Sequence, residues 1–102
     1  MYGTIGRMKI KSGQFAEMDK AMAEISGDRS ATGGVAMFAF RMDSDPDEIF
    51  VIAISEDKEK YHAYAESEES HAGYEVMMRY LEEPPEWHDG EVISHKIYQK
   101  IK

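Results

Sequence analysis

The sequence of 102 residues has no cysteine, only three prolines, and twelve basic residues against twenty acidic ones. The absence of cysteine excludes disulfides, thiolate metal sites and a cysteine nucleophile, and it fits a reducing compartment. The net charge of -8 repels phosphate backbones and anionic headgroups, so neither nucleic acid nor membrane is an expected partner. The longest apolar run, Ile49 to Ile54, is too short to span a bilayer. We therefore predict a cytoplasmic protein.

The composition is that of a globular domain, with 42% hydrophobic and 31% charged residues. No polar linker and no low-complexity stretch divides the chain. The sequence therefore predicts a single domain spanning residues 1–102.

Hydrophobic periodicity predicts six elements in the order strand, helix, strand, strand, helix, strand. These are a strand over Tyr2–Ile10, a helix carrying Phe15, Met18, Met22 and Ile25 with Ser12 as its N-cap, strands over Val35–Met42 and Ile49–Ser55, a helical region from Asp57 with a break at Ser67–Ser70, and a strand over Glu91–Ile101. This order is the split βαβ arrangement of an α+β protein, in which two helices pack on one face of an antiparallel sheet.

The two middle strands are apolar on both faces instead of alternating. Val35–Met42 and Ile49–Ser55 place hydrophobic side chains at successive positions. Two helices can cover only one face, and soluble proteins rarely leave a large apolar face in water. An identical sheet packed with two-fold symmetry would cover it, so we predict a homodimer.

The residue patterns predict no metal site. The four histidines, His62, His71, His88 and His95, lack the spacing that lets one helix present two ligands. The acidic turn from Asp43 to Glu48 lacks the glycine and the final glutamate of a calcium loop, so we interpret it as a solvated hairpin turn.

Aromatic and imidazole side chains are concentrated on and after the second helical region. They include Tyr61, His62, Tyr64, His71, Tyr74 and Trp87. Tyrosines at helical spacing commonly supply core area, which is one interpretation. The other is that the helix break opens an apolar cavity between the sheet and the second helix, which would suit a flat aromatic ligand.

The stretch from Ser55 to Ser67, together with the order of elements around it, resembles the antibiotic biosynthesis monooxygenase family of the dimeric α+β barrel superfamily. The resemblance implies a ferredoxin-like protomer whose sheet packs on that of a partner. It also implies a monooxygenase that uses neither metal nor flavin and acts on a small hydrophobic aromatic such as a phenol, a quinol or a polyketide-like compound. The substrate-binding residues would be Tyr61, Tyr64, His71, Tyr74 and Trp87.

The sequence departs from the family pattern at two positions. Many members have tryptophan where this chain has Ser55 and histidine where it has Tyr64. His62 or His71 would then be the general base, and Trp87 could fill the cavity from a loop. Because the chain contains no asparagine, the resemblance does not extend to the haem-degrading branch. The alternatives are a non-catalytic, small-ligand-binding or stress-related dimeric module, or an interaction domain with an acidic surface.

Overall fold

A computed structural model describes residues 1–25 and 27–100 and confirms the α+β fold. The elements are β1 (Tyr2–Lys9), α1 (Phe15–Ile25), a 3₁₀ turn (Ser30–Thr32), β2 (Gly34–Arg41), β3 (Glu48–Ser55), α2 (Lys58–Ala65), α3 (Glu68–Met78) and β4 (Glu86–Glu91). The strands form one antiparallel sheet in the order β2-β3-β1-β4. This is the ferredoxin-like arrangement, with the helices packed on one face.

The core lies between the sheet and the helices. Alternation along β1 buries Thr4, Gly6 and Met8 toward the helices, as the period-two pattern predicts. Met8 joins a buried cluster with residues from α1, α3, β3 and the adjoining loops, namely Ile10, Met18, Ile49, Met77 and Leu81. The predicted cap of α1 is wrong, because the helix begins at Phe15 and the N–H of Met18 donates to the carbonyl of Gln14.

The predicted break in the second helical region is present, but it lies at residues 66–67, and Ser70 already belongs to α3. Ser67 lies between α2 and α3, and its hydroxyl donates to the carbonyl of Tyr64 at 2.6 Å and accepts from the N–H of Ser70 at 3.1 Å. A side-chain cap of this kind satisfies a backbone donor in the first turn of a helix. Asp57 does the same for α2 by accepting from the N–H of Lys60 at 2.8 Å.

The acidic segment between β2 and β3 is a hairpin turn, as predicted. The carboxylate of Asp45 accepts the N–H of Asp47 at 3.0 Å and forms an ion pair with Lys9. The carbonyl of Asp45 accepts the N–H of Glu48, and that of Glu48 accepts the N–H of Met42. The carboxylates therefore stabilise the turn locally.

The prediction for the last strand is wrong in position. The strand occupies Glu86–Glu91 and pairs with β1, so that Glu91 lies opposite Tyr2. The next N–H, that of Val92, donates to the carbonyl of Met1. Residues 92–100 form no helix or strand. Ile101, the end of the predicted strand, lies outside the described residues.

The sheet face opposite the helices carries a row of aligned apolar side chains. Phe38, Ile52 and Ile5 are paired across β2, β3 and β1. Phe38 is 41% exposed and Ile5 is 49% exposed. Phe40, in the neighbouring row, is also 49% exposed. The described part of a single chain therefore leaves this face largely in water.

Candidate functional site

An open cleft of about 530 Å³ lies on the helix side of β2. It is bounded by the start of β2, the end of α1, the loop before β2, and α3. Its apolar walls come from Met22, Ile25, Val35, Met37, Ala72 and Val76. A cleft of this size, with mostly hydrophobic walls, has the dimensions of a small-molecule site.

The cleft exists because α1 and α3 leave the edge strand uncovered. Val35 and Met37 are 51% and 61% exposed although they lie on the helix side of the sheet. Two of the α3 residues that line this space, Ala72 and Gly73, are small, and the closest approach of a methyl group built on Gly73 would be 3.9 Å, to Ile25. Small side chains on the helix therefore keep the space above β2 open.

A single guanidinium marks the polar side of the cleft. Arg29, in the loop that leads to β2, places its Cζ atom 3.4 Å from the ring centroid of Tyr64. Its Nε and Nη2 atoms are buried and have no hydrogen-bond partner. Asp28 and Glu69 also line the cleft, but neither forms an ion pair with Arg29.

Tyr64 is the one predicted substrate-binding residue that lines this cleft. Tyr61, one turn earlier on α2, instead lies over the β1 and β4 side of the sheet. Its hydroxyl donates to Asp89 at 2.8 Å, and its ring meets that of Tyr2 edge-on at 5.2 Å. Burial raises the pKa of Tyr61, and the hydrogen bond to Asp89 raises this pKa further. Tyr61 therefore stays protonated at neutral pH.

The two candidate bases are placed apart from each other. The His62 ring lies 5.3 Å from the ring of Tyr61 and 5.9 Å from that of Tyr2, and its side chain is exposed. His71 is exposed on α3. Neither lines the cleft. Their role as general base stays a prediction.

The remaining two predicted residues also lie outside the cleft walls. Trp87 belongs to β4, not to a loop, and is paired with Gly6 of β1. Its ring covers that glycine so closely that a methyl group built there would fall 2.3 Å from a ring carbon. Tyr74, on α3, is 40% exposed. The structure thus places the rings of Tyr61 and His62 in contact, and of the predicted residues only Tyr64 lines the cleft.

Sequence reasoning missed the wall supplied by β2 and the arginine beside it. A usable signal was present, because Val35 and Met37 alternate with Phe38 and Phe40 on the same strand. One set lies above the sheet and the other below it. Arg29 gave no signal, since a lone arginine in a loop is usually solvated.

Two further findings concern what the described residues contain. Across residues 1–25 and 27–100, no three acidic or histidine side chains are grouped as metal ligands would be. Within the same ranges, none of the helices is long and apolar enough to cross a membrane.

Solved structures similar to this chain share its fold. A candidate antibiotic biosynthesis monooxygenase from Caulobacter crescentus has a TM-score of 0.79 and 13% identity, over 91% of this chain and 90% of that one. Another candidate from Chloroflexus aurantiacus has a TM-score of 0.74 and 21% identity, over 94% of this chain and 97% of that one. A Nitrosomonas europaea protein of unknown function has a TM-score of 0.76 and 21% identity, over 97% of this chain and 95% of that one.

The sequence itself also has a recognisable family signature. A search of curated proteins with this sequence found no match. The sequence profile described as antibiotic biosynthesis monooxygenase matches residues 1–76, which is well over half of the chain and extends from β1 through most of α3. The chain therefore belongs to the antibiotic biosynthesis monooxygenase family.

Proposed function

We propose that this protein is a monooxygenase that oxidises a small hydrophobic aromatic compound, such as a phenol, a quinol or a polyketide-like molecule, in the cleft beside β2. Membership of the family supports a monooxygenase-type role in general. The observation that carries the proposal is the cleft, because its volume and its apolar walls suit one small aromatic ring system. Tyr64 lines the cleft, and one face of its ring is covered by Arg29.

The proposed reaction uses neither metal nor flavin. The deprotonated substrate passes an electron to dioxygen, and the substrate radical and superoxide combine to a peroxide on carbon. Loss of water then leaves a carbonyl. For an anthrone, one oxygen atom enters the CH₂ carbon and the other leaves as water with its two hydrogens. The substrate supplies all the electrons, so no external reductant is needed.

In this proposal the protein contributes mainly the orientation of the substrate. A phenolic hydroxyl has a pKa of about 10, so at about pH 8 roughly one molecule in a hundred is already deprotonated without a protein base. A cleft that holds the ring in one orientation beside dioxygen supplies the larger share of the rate. His62 and His71 would act as base only on a substrate that extends beyond the cleft.

We also propose that the working unit is a homodimer joined through the open sheet face. The row formed by Phe38, Ile52 and Ile5 supports this arrangement, because an apolar face of this kind is rarely left in water. Ile93, which is exposed beyond β4 and lies beside Ile5 and Ile52, would add to the same surface. Arg7 and Glu48, ion-paired at 2.7 Å, would form part of its polar rim.

A non-catalytic module that binds a small ligand is the second candidate. It is favoured by Ser55, which replaces a tryptophan common in the family and is 1% exposed, so it cannot contact a ligand in the cleft. Such a protein would bind aromatic compounds in the same place without consuming oxygen. Oxygen uptake therefore separates the two candidates.

The test is oxygen consumption with a panel of hydroquinones and anthrones at about pH 8. The Gly73→Leu variant should lose at least about nine-tenths of the rate, because the new side chain fills the cleft from a position where space is free. Leucine also favours a helix more than glycine does, so the fold should be retained. The matched control is Ala63→Leu, on the exposed side of α2.

Two results would contradict the proposal. One is an absence of oxygen uptake with every member of the panel, which would leave the binding module as the better account. The other is equal activity of the Gly73→Leu and wild-type proteins, which would move the reaction to another part of the molecule.

A further inference from the structure

The loop before β2 holds Arg29 in a fixed place at the cleft. The carbonyl of Arg29 accepts the N–H groups of Thr32 at 3.0 Å and of Gly34 at 2.9 Å. Asp28 caps the turn by accepting the N–H of Ser30 at 2.8 Å. A methyl group built on Gly34 would come within 2.7 Å of the Cβ of Arg29, so glycine is needed for this close packing.

The side chain of Arg29 is held against Tyr64, but two of its nitrogen atoms have no hydrogen-bond partner. Its guanidinium stacks on Tyr64, with Cζ 3.4 Å from the ring centroid, a favourable cation–π arrangement. Stacking uses the face of the guanidinium and leaves its edges for hydrogen bonds. The Nε and Nη2 atoms nevertheless have no acceptor, and buried donors without a partner are rare because they lose the hydrogen bonds that water would give.

The two unpaired atoms lie on the same edge of the planar guanidinium, and together they present two nearly parallel N–H bonds. This edge matches the two oxygen atoms of a carboxylate. We infer that the cleft takes a flat aromatic acid, whose ring lies between α3 and β2 and whose carboxylate accepts both hydrogen bonds from Arg29. The edge is shielded from solvent in this structure, so the inference requires the guanidinium to turn toward the cleft when the acid binds.

Because the rest of the protein is negatively charged, an anionic ligand depends on this arginine for binding. With a net charge of -8, the chain as a whole repels an organic anion. Asp28 and Glu69 line the cleft with further negative charge. An aromatic acid can therefore bind here only through a strong local contact, and Arg29 is the basic residue among the cleft walls.

This inference deepens the proposed function by naming the substrate class as aromatic acids, and it is tested by binding alone. Isothermal titration under nitrogen compares 1-naphthoate with 1-naphthol, which has the same rings and no carboxylate. We expect wild-type protein to bind both. Arg29→Met should lower the affinity for 1-naphthoate roughly 10- to 100-fold, because two charge-assisted hydrogen bonds are lost. The affinity for 1-naphthol should change by less than about threefold.

Two further variants separate the contribution of the paired N–H donors to binding from that of the positive charge. Arg29→Lys keeps the charge but lacks two parallel donors, so 1-naphthoate should still lose about tenfold in affinity. Arg79→Met removes a charge from an exposed position at the end of α3 and should leave both affinities unchanged. Near-ultraviolet circular dichroism of each variant verifies that the aromatic packing around Tyr64 is kept.

Three outcomes would overturn the inference: no binding of 1-naphthoate to the wild type, equal affinity of the wild type and Arg29→Met for it, or an equal loss for 1-naphthol. None of these depends on turnover. If 1-naphthoate binds through Arg29 but no compound in the oxygen assay reacts, the proposed oxygenase function fails and the aromatic-acid site stands.

Discussion

Replacing Phe38 with aspartate should leave the protomer folded and convert the protein from a dimer to a monomer. Phe38 lies in a row with Ile52 and Ile5 on the open face of the sheet. In a sheet-on-sheet dimer, aromatic side chains near the centre of the interface contribute most of the binding free energy. An unpaired carboxylate buried there would cost about 3–5 kcal/mol, which weakens association more than roughly 100-fold.

Sedimentation equilibrium at micromolar protein measures this effect. The wild type should have the mass of two chains and Phe38→Asp that of one, with the same far-ultraviolet circular dichroism. Ala63→Asp adds the same charge to the exposed side of α2 and should remain dimeric. A monomeric wild type, or a Phe38→Asp protein that stays dimeric, would contradict a dimer built on this face.

Adding one methyl group at Gly3 should destabilise the fold severely. Gly3 lies in β1, between β3 and β4, and a Cβ atom built there falls 2.2 Å from the carbonyl oxygen of Ala53. That oxygen belongs to the backbone of β3, so it cannot move aside without disturbing the central pairing of the sheet. We expect Gly3→Ala to lower the free energy of unfolding by roughly 2–4 kcal/mol, in the upper range for overpacking.

The chain offers a matched control for this substitution. Gly90 pairs directly with Gly3 in the sheet, and a methyl group built on Gly90 meets no atom within 4 Å. Gly90→Ala should therefore change the free energy of unfolding by less than about 0.5 kcal/mol. Urea unfolding of both variants at one protomer concentration gives the comparison. Equal stabilities for the two would show that the strand spacing around Gly3 differs from this structure.

The fold was largely predictable because its signals are local. Alternation in β1, the apolar stripe of α1 and the break in the second helical region each depend on residues close together in the chain. The last strand was misplaced because its position depends on which residues of β1 it pairs with, which is a long-range property. Val92 and Ile93 look like strand residues in isolation, yet they lie beyond the strand that they would need as a partner.

The candidate site was less predictable, since it depends on how closely helices approach the sheet. The two-faced hydrophobicity of β2 was interpreted as core plus dimer interface. In the structure, Val35 and Met37 line an open cleft instead of a packed core. The alternation along β2 separates the two faces of the strand, but it does not distinguish a packed core from an open cleft. The position of Arg29 over Tyr64 likewise joins residues far apart in the sequence, so it follows only from the folded chain.

Methionine-methyl NMR tests most directly the claim that small aromatic ligands bind beside β2. Of the eight methionines, Met22 and Met37 line the cleft, whereas Met8 and Met18 are buried in the core. Ring currents of a bound aromatic shift nearby methyl signals strongly. On titration with 1-naphthol under nitrogen, the signals of Met22 and Met37, assigned through leucine variants, should move together while those of Met8 and Met18 stay in place. Unchanged Met22 and Met37 signals at saturating 1-naphthol would contradict the account.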